Sequence, residues 1–317
     1  MDREANRKFI NRTESLVKPQ DVTAISFLGD FNKIFPKKLQ EKTMEKGSAT
    51  VPYMGFIVDP YCFFLAYGIK DRAAAQAMLP PGYELAEARV FKDQPASPLV
   101  IIGAFSVRTS AFIGNRLEFY IIARRKDTGR MSWIIADYET NTNSYDPKNC
   151  FCGYTSDPAI LTTTPYGELL AEFAGKTNGK EFSLSADLEK GEWRELDPEL
   201  WIEGNLSIDY GGELKVDSSK PFSLIFDPYL MQKALLMPTG SIHIRRNSYL
   251  DSIIDPAGPL CAAVFPYSQH FIIKQDLPEN GVTNETEVNR LAQDFIDAKS
   301  FKTMAGDDIK KPLLRGM

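Results

Sequence analysis

Lys148 has the setting in this chain that most invites chemistry. It follows Asp146-Pro147 and precedes Asn149 on a polar loop. An amine attacks a carbonyl only when unprotonated, so a nucleophilic lysine must be held well below its ordinary pKa of roughly 10.4. Burial or a nearby cation does this by disfavouring the charged form. No cation neighbours Lys148 in sequence; Arg116, Arg124 and Lys126 reach it only through the fold. The competing account is a solvated loop lysine.

Glu118 is the carboxylate that could move protons beside it. It stands between Leu117 and Phe119 in a strand-like run, so it shares a face with Tyr120 and Ile122. If that face lines an enclosed interior, burial raises the carboxyl pKa and suits the group to acid–base work. A salt bridge with Arg116 on the same face, or with Arg89, explains it equally well. Glu139 reads more readily as structural.

Arg89 and Arg108 each interrupt an apolar strand, and a guanidinium fork fits a substrate carboxylate. A carboxylate within the protein is the alternative partner. Arg116, Tyr120 and Trp133 complete the expected substrate-binding set. Tyr61, Phe63, Phe64 and Tyr67 are wall or core residues. His243 reads as a strand histidine, since no orienting partner for a base is evident.

Other chemistries find no support. Gly211-Gly212 lacks the strand–loop–helix setting and the Lys-Ser/Thr end of a phosphate loop. There is no Gly-x-Ser-x-Gly elbow. Cys150 and Cys152 form a C-x-C pair, neither a redox motif nor half of a usual zinc site. With Cys62 and Cys261 they read as structural thiols of a reducing compartment. His243 and His270 have no partner at metal spacing, so neither a metal nor a cofactor is expected.

The net charge of −5 argues against a nucleic-acid partner, which needs clustered Lys and Arg. No run reaches the roughly 18 apolar residues of a spanning helix, and the N-terminus has no apolar signal core. A cytoplasmic protein with no membrane partner is expected.

The elements that must position these residues are mostly strands. Runs 117–124 and 130–138 flank Lys126-Asp127-Thr128-Gly129 and predict a hairpin. Run 55–67 is broken at Asp59-Pro60, a sign of an edge or bulge. Asp71 caps a short helix over 72–78, stopped by Pro80-Pro81-Gly82. Strands follow at 83–91 and 99–110, where Gly103 marks a bend or a close approach. Further strands are expected at 160–174 with 180–186, 200–210 with 213–216, 240–247 and 259–273.

A helix is expected at 228–236, and an amphipathic one at 286–299. Residues 1–50 read as an N-terminal arm with short helices near 21–31 and 37–46. Residues 51–317 read as a single β domain ending in the 286–299 helix. The fold class is mostly β with peripheral helices: a large antiparallel sheet curled into a closed or double-layered barrel.

This order resembles the acetoacetate decarboxylase superfamily over roughly residues 50–275. The matching pieces are Met78-Leu79-Pro80-Pro81-Gly82-Tyr83 before Ala88-Arg89-Val90-Phe91, then Tyr145-Asp146-Pro147-Lys148-Asn149 with Gly153-Tyr154 behind it. Gly240-Ser241-Ile242-His243-Ile244 and the apolar 250–254 are similar to the family's closing strand and trailing segment. In that family a loop of the type Arg-Glu-x-x-x-x-Pro-Lys-Lys-x-Gly carries a Schiff-base lysine, the standard example of an amine activated by a neighbouring cation.

Here Thr140-Asn141-Thr142-Asn143 replaces the Arg-Glu stretch, and Asn149 replaces the second lysine. The likeness therefore speaks for the fold more than for decarboxylation. It implies an oligomer and a small organic acid or apolar carbonyl ligand. Lys148 would form the imine, Glu118 would be acid and base, and Arg89 or Arg108 the clamp, in a decarboxylase, aldolase or dehydratase type of reaction. The alternative is a non-catalytic ligand-binding barrel of the same ancestry.

Overall fold

The computed structural model describes residues 3–17, 36, 54–109, 112–146, 150–216 and 221–274. The helices expected at 21–31, 37–46 and 286–299 lie outside these residues, as does Lys148.

Helix α1 (Arg3–Leu16) precedes strands β1 (Met54–Val58) and β2 (Cys62–Gly68), helix α2 (Arg72–Met78), β3 (Tyr83–Leu85) and β4 (Glu87–Ala88). Three long strands follow: β5 (Ser97–Thr109), β6 (Ile113–Arg125) and β7 (Met131–Thr140). Then come β8 (Ser144–Asp146), β9 (Cys150–Cys152), β10 (Ser156–Thr163), β11 (Glu168–Gly175), β12 (Glu181–Asp187) and β13 (Glu192–Glu195). The last are β14 (Ile208–Tyr210), β15 (Ser223–Ile225), β16 (Lys233–Met237), β17 (Ile242–Asn247), β18 (Cys261–Phe265) and β19 (Gln269–Lys274).

Local chemistry explains several of these. The Asp71 carboxylate accepts from the Ala74 amide and starts α2, whose alanine run favours helix. β1 and β2 both pair with β5, Val58 opposite Val107 and Phe63 opposite Ala104, so Asp59-Pro60-Tyr61 is a bulge in one long strand. β6 and β7 form the expected hairpin, with Gly129 at φ 70° in its turn.

β5 organises the large sheet. β2 and β1 follow one another along one edge of it, and β6 with β7 occupies the other. The sheet is mixed, since β14 pairs parallel to β7. A four-stranded sheet, β10-β11-β12-β17, packs on one face through Phe173, Phe182 and Leu184 against Phe63, Leu65 and Phe119. The layering is therefore as expected.

The closed barrel is not. No sheet closes among the described residues; β14 approaches the start of β15 through the bridge Ile208–Phe222, because strands of three residues each are too short to complete a ladder. The opposite face of the large sheet carries Phe64, Trp133 and Phe265, with Trp201 of the Glu199–Glu203 turn packed on them, edge-to-face or tilted with centroids 5.1–6.0 Å apart.

Four expected elements differ. The strand at 200–210 is helical turns over Glu199–Glu203 and Gly204–Leu206 before β14. Asp197 accepts from the Glu199 amide there, and Trp201 is buried with its indole N–H on the Val90 carbonyl. The strand at 213–216 gives way to a turn at Gly212–Leu214, with Gly212 at φ 55°. Residues 228–236 form one turn, Pro228–Met231, capped by Asp227, and then β16. Run 160–174 divides into two strands at a turn holding Gly167 at φ 75°.

Helix α1 packs over β1 and β19 and buries Phe9. No helix among the described residues is long and apolar enough to cross a membrane.

Candidate functional site

Alternation along β6 puts Arg116, Glu118 and Tyr120 on the face that carries Trp133 and Phe265, opposite Phe105, Gly103 and Ile101 of β5. On the β7 side their partners are Thr140, Tyr138 and Ile135. Glu118 is 6% exposed and Arg116 8%, so the carboxylate and the guanidinium are both withdrawn from water.

The two are joined directly. Arg116 Nε donates to Glu118 Oε1 at 2.7 Å, and the Tyr120 hydroxyl donates to Oε2. The ring of Tyr138 lies 4.9 Å from the Arg116 guanidinium carbon, and that of Phe112 5.8 Å from it.

Burial works against the guanidinium's charge, but Glu118 beside it, with Tyr138 and Tyr210, holds Arg116 above its ordinary value. Burial, then the charge of Glu118, pushes the Tyr120 phenol well above its ordinary value. Tyr120 is thus a fixed proton donor. The Trp133 ring stands 4.9 Å from Tyr120 with its N–H on the Leu200 carbonyl, so it acts as wall.

The structure brings together four of the expected residues: Glu118, Arg116, Tyr120 and Trp133. Arg89 is elsewhere, its Nε 2.6 Å from Asp197 Oδ2. Arg108 lies on the opposite face of β5 from Gly103 and is engaged by Asp59 at 2.9 Å and Glu14 at 3.2 Å. Both arginines have found protein carboxylates.

Lys148 lies outside the described residues. The strands that bracket it are described, however. The chain runs from Thr140, the partner of Arg116, into β8 and β9, and Thr155 then returns to Thr140 through N–H···O=C and N–H···Oγ1 bonds of 2.8 and 3.0 Å. Thr140 and Thr155, where the chain leaves for β8 and returns from β9, are thus joined beside Arg116.

The remaining candidates sit apart. Glu139 faces the small sheet, where Tyr249 and Asn178 donate to Oε1 and Oε2 is buried without a partner. His243 is exposed on β17. His270 is buried, with Nε2 2.9 Å from Glu14. Cys62 and Cys261 are buried free thiols. No cluster of three metal-ligating side chains occurs among the described residues. A surface groove of about 310 Å³ between Pro80, Tyr83, Lys126 and Lys215 opens at the far end of β6, where Tyr83 pairs with Arg125.

Tyr138, Phe112 and Tyr210 belong to the site and were not singled out from sequence. Counting register back from the hairpin turn, where Arg124 faces Met131, would set Asp137 opposite Glu118. A bulge after Phe119 makes Ala136 the extra residue and brings Tyr138 there instead.

No family model matches the chain, and no curated protein matches it. Among solved structures it is similar to the crystal structure of an acetoacetate decarboxylase from Legionella pneumophila. The identity is 14% and the TM-score 0.39, over 69% of this chain and 82% of that one. This is the family the sequence resembles.

Proposed function

We propose that the protein binds a small organic carbonyl compound, a keto acid or an apolar relative, against Glu118. It acts on that compound through an imine at Lys148. The observation that carries this reading is a buried carboxylate held between an arginine and a tyrosine in an otherwise aromatic and aliphatic surround. The Thr140–Thr155 bonds, which bring the chain back beside Arg116 after β8 and β9, support bringing an amine to it.

In this reaction the unprotonated amine of Lys148 adds to the carbonyl carbon, Glu118 takes a proton from the adding nitrogen and hands it to the oxygen, and with a second proton from solvent that oxygen leaves as water. The resulting iminium draws electrons from the adjacent carbon, which serves decarboxylation, aldol cleavage or dehydration alike. Tyr120 and Arg116 keep Glu118 oriented. No other cofactor is required, because the iminium is itself the electron sink. Incubation with a carbonyl substrate and borohydride should add the mass of the imine-bound carbonyl compound, less one oxygen atom, to the Lys148 peptide. An unmodified Lys148, under conditions where substrate binds, removes the imine step.

A second reading is a non-catalytic binder of the same ligands. It is favoured by the fact that both oxygens of Glu118 already receive donors from the protein, so the group must give one up before acting as a base. Ligand that co-purifies without turnover supports it.

A further inference from the structure

Arg116 uses only part of its guanidinium. Nε is committed to Glu118, while neither Nη atom makes a hydrogen bond among the described residues. The Arg116 side chain keeps 9% of its exposure, so a small part of it reaches solvent. Phe112, whose ring lies 5.8 Å from the guanidinium carbon, and Tyr210 are both partly exposed. The rings of Tyr138 and Phe112 flank the guanidinium and fix its plane. The result is a rigid, two-nitrogen donor edge on a buried face.

We infer that this edge receives a neutral carbonyl oxygen of the ligand rather than a carboxylate. The inference rests on the reading that the ligand sits against Glu118. The deciding consideration is charge. The cross-strand partners on this face are Phe105, Gly103 and Ile101 on one side and Thr140, Tyr138 and Ile135 on the other, and none carries a charge. Arg116 is already balanced by Glu118.

A ligand carboxylate on the Nη edge would leave the buried group with a net negative charge, and an uncompensated charge in such a place is strongly disfavoured. A ketone, aldehyde or amide oxygen accepts from the same nitrogens and adds none. Of the ligands proposed above, this edge thus favours the apolar carbonyl relative over the keto acid. Phe112 and Tyr210, whose ring lies 6.2 Å from that of Phe222, would contact the apolar body of that relative.

The test compares benzamide with benzoate, which share a shape and differ in charge, by ligand-detected NMR titration at pH 7.5. Benzamide should bind the wild-type protein at least about tenfold more tightly. In Glu118→Gln the group loses its negative charge and keeps its shape, so benzoate should gain and the preference should reverse. In Arg116→Lys the two-nitrogen edge is lost and the preference should fall towards one, with thermal unfolding showing that the variant is folded.

Equal or stronger benzoate binding by the wild type overturns the inference, as does an unchanged preference in Glu118→Gln. Failure of both probes to bind overturns it together with the placement of the site. A sustained amide preference with no borohydride trapping at Lys148 leaves the inference standing and removes only the imine reaction.

Discussion

Gly103 stands opposite Glu118 in the β5–β6 ladder, and the Phe64 ring occupies the space a side chain there would need. A β-carbon at Gly103 would lie 2.7 and 2.8 Å from two Phe64 ring carbons and 3.3 Å from the Tyr120 ring. The glycine thus lets an aromatic ring close over the strand that carries the carboxylate.

Gly103→Ala should therefore destabilise the protein by about 1–3 kcal/mol, the usual cost of overpacking a filled core. Phe64 cannot move freely, because Trp133, Trp201 and Phe265 surround it. Urea unfolding followed by tryptophan fluorescence measures this. A neutral result would mean that the ring yields without resistance.

Much of this arrangement could be read in advance where the causes are local. Asp71 and an alanine run specify α2, Asp59-Pro60 marks the bulge, and the turn at Gly129 joins the hairpin that bears Glu118. The site escaped where causes are remote or sub-periodic. One extra residue, Ala136, decides that Tyr138 and not Asp137 faces Glu118. Arg89 and Arg108 look like ligand clamps until the fold brings Asp197 and Glu14 to them from 108 and 94 residues away. β14 is three residues long and pairs parallel to β7, so no hairpin signal announces it.

Helix α1 should loosen from the sheet in acid. Burial raises the Glu14 carboxyl pKa, but hydrogen bonds and charge from His270 and Arg108 outweigh it and hold the group below its ordinary 4.5. A depressed carboxylate pKa contributes stability that is complete above the unfolded value and is lost as pH falls through the folded one. With Asp59 also on Arg108, docking should persist through neutral pH and weaken below about pH 4.5. Hydrogen exchange of the α1 amides at pH 7 and pH 3.5 reports this, and Glu14→Gln should exchange rapidly at both.

Tyr120→Phe removes one of the two donors to Glu118 and leaves a buried oxygen short of a partner. The expected loss is about 1–3 kcal/mol of stability. Its binding consequence should differ from that of Trp133→Phe, because Trp133 touches the site through its ring and sends its N–H to Leu200. Titrating benzamide into both variants should find the larger change in Tyr120→Phe. The opposite order would make the aromatic wall, and not the orientation of Glu118, the main determinant of binding.

The Arg116–Glu118 pair separates stability from function most sharply. Deleting one member leaves the other buried and uncompensated, so Arg116→Met alone should cost about 3–5 kcal/mol. Replacing both, as Arg116→Met with Glu118→Leu, removes the charges together and should recover most of that loss, since well-packed apolar side chains often match a buried ion pair. A pair kept only to hold the sheet together would make the double variant close to wild type in every assay. If the pair instead serves the ligand, the double variant should unfold at nearly the wild-type denaturant concentration and show no measurable affinity for benzamide. A double variant as unstable as the single one would show that the site's geometry, and not its charge balance, is what the surrounding strands are built to support.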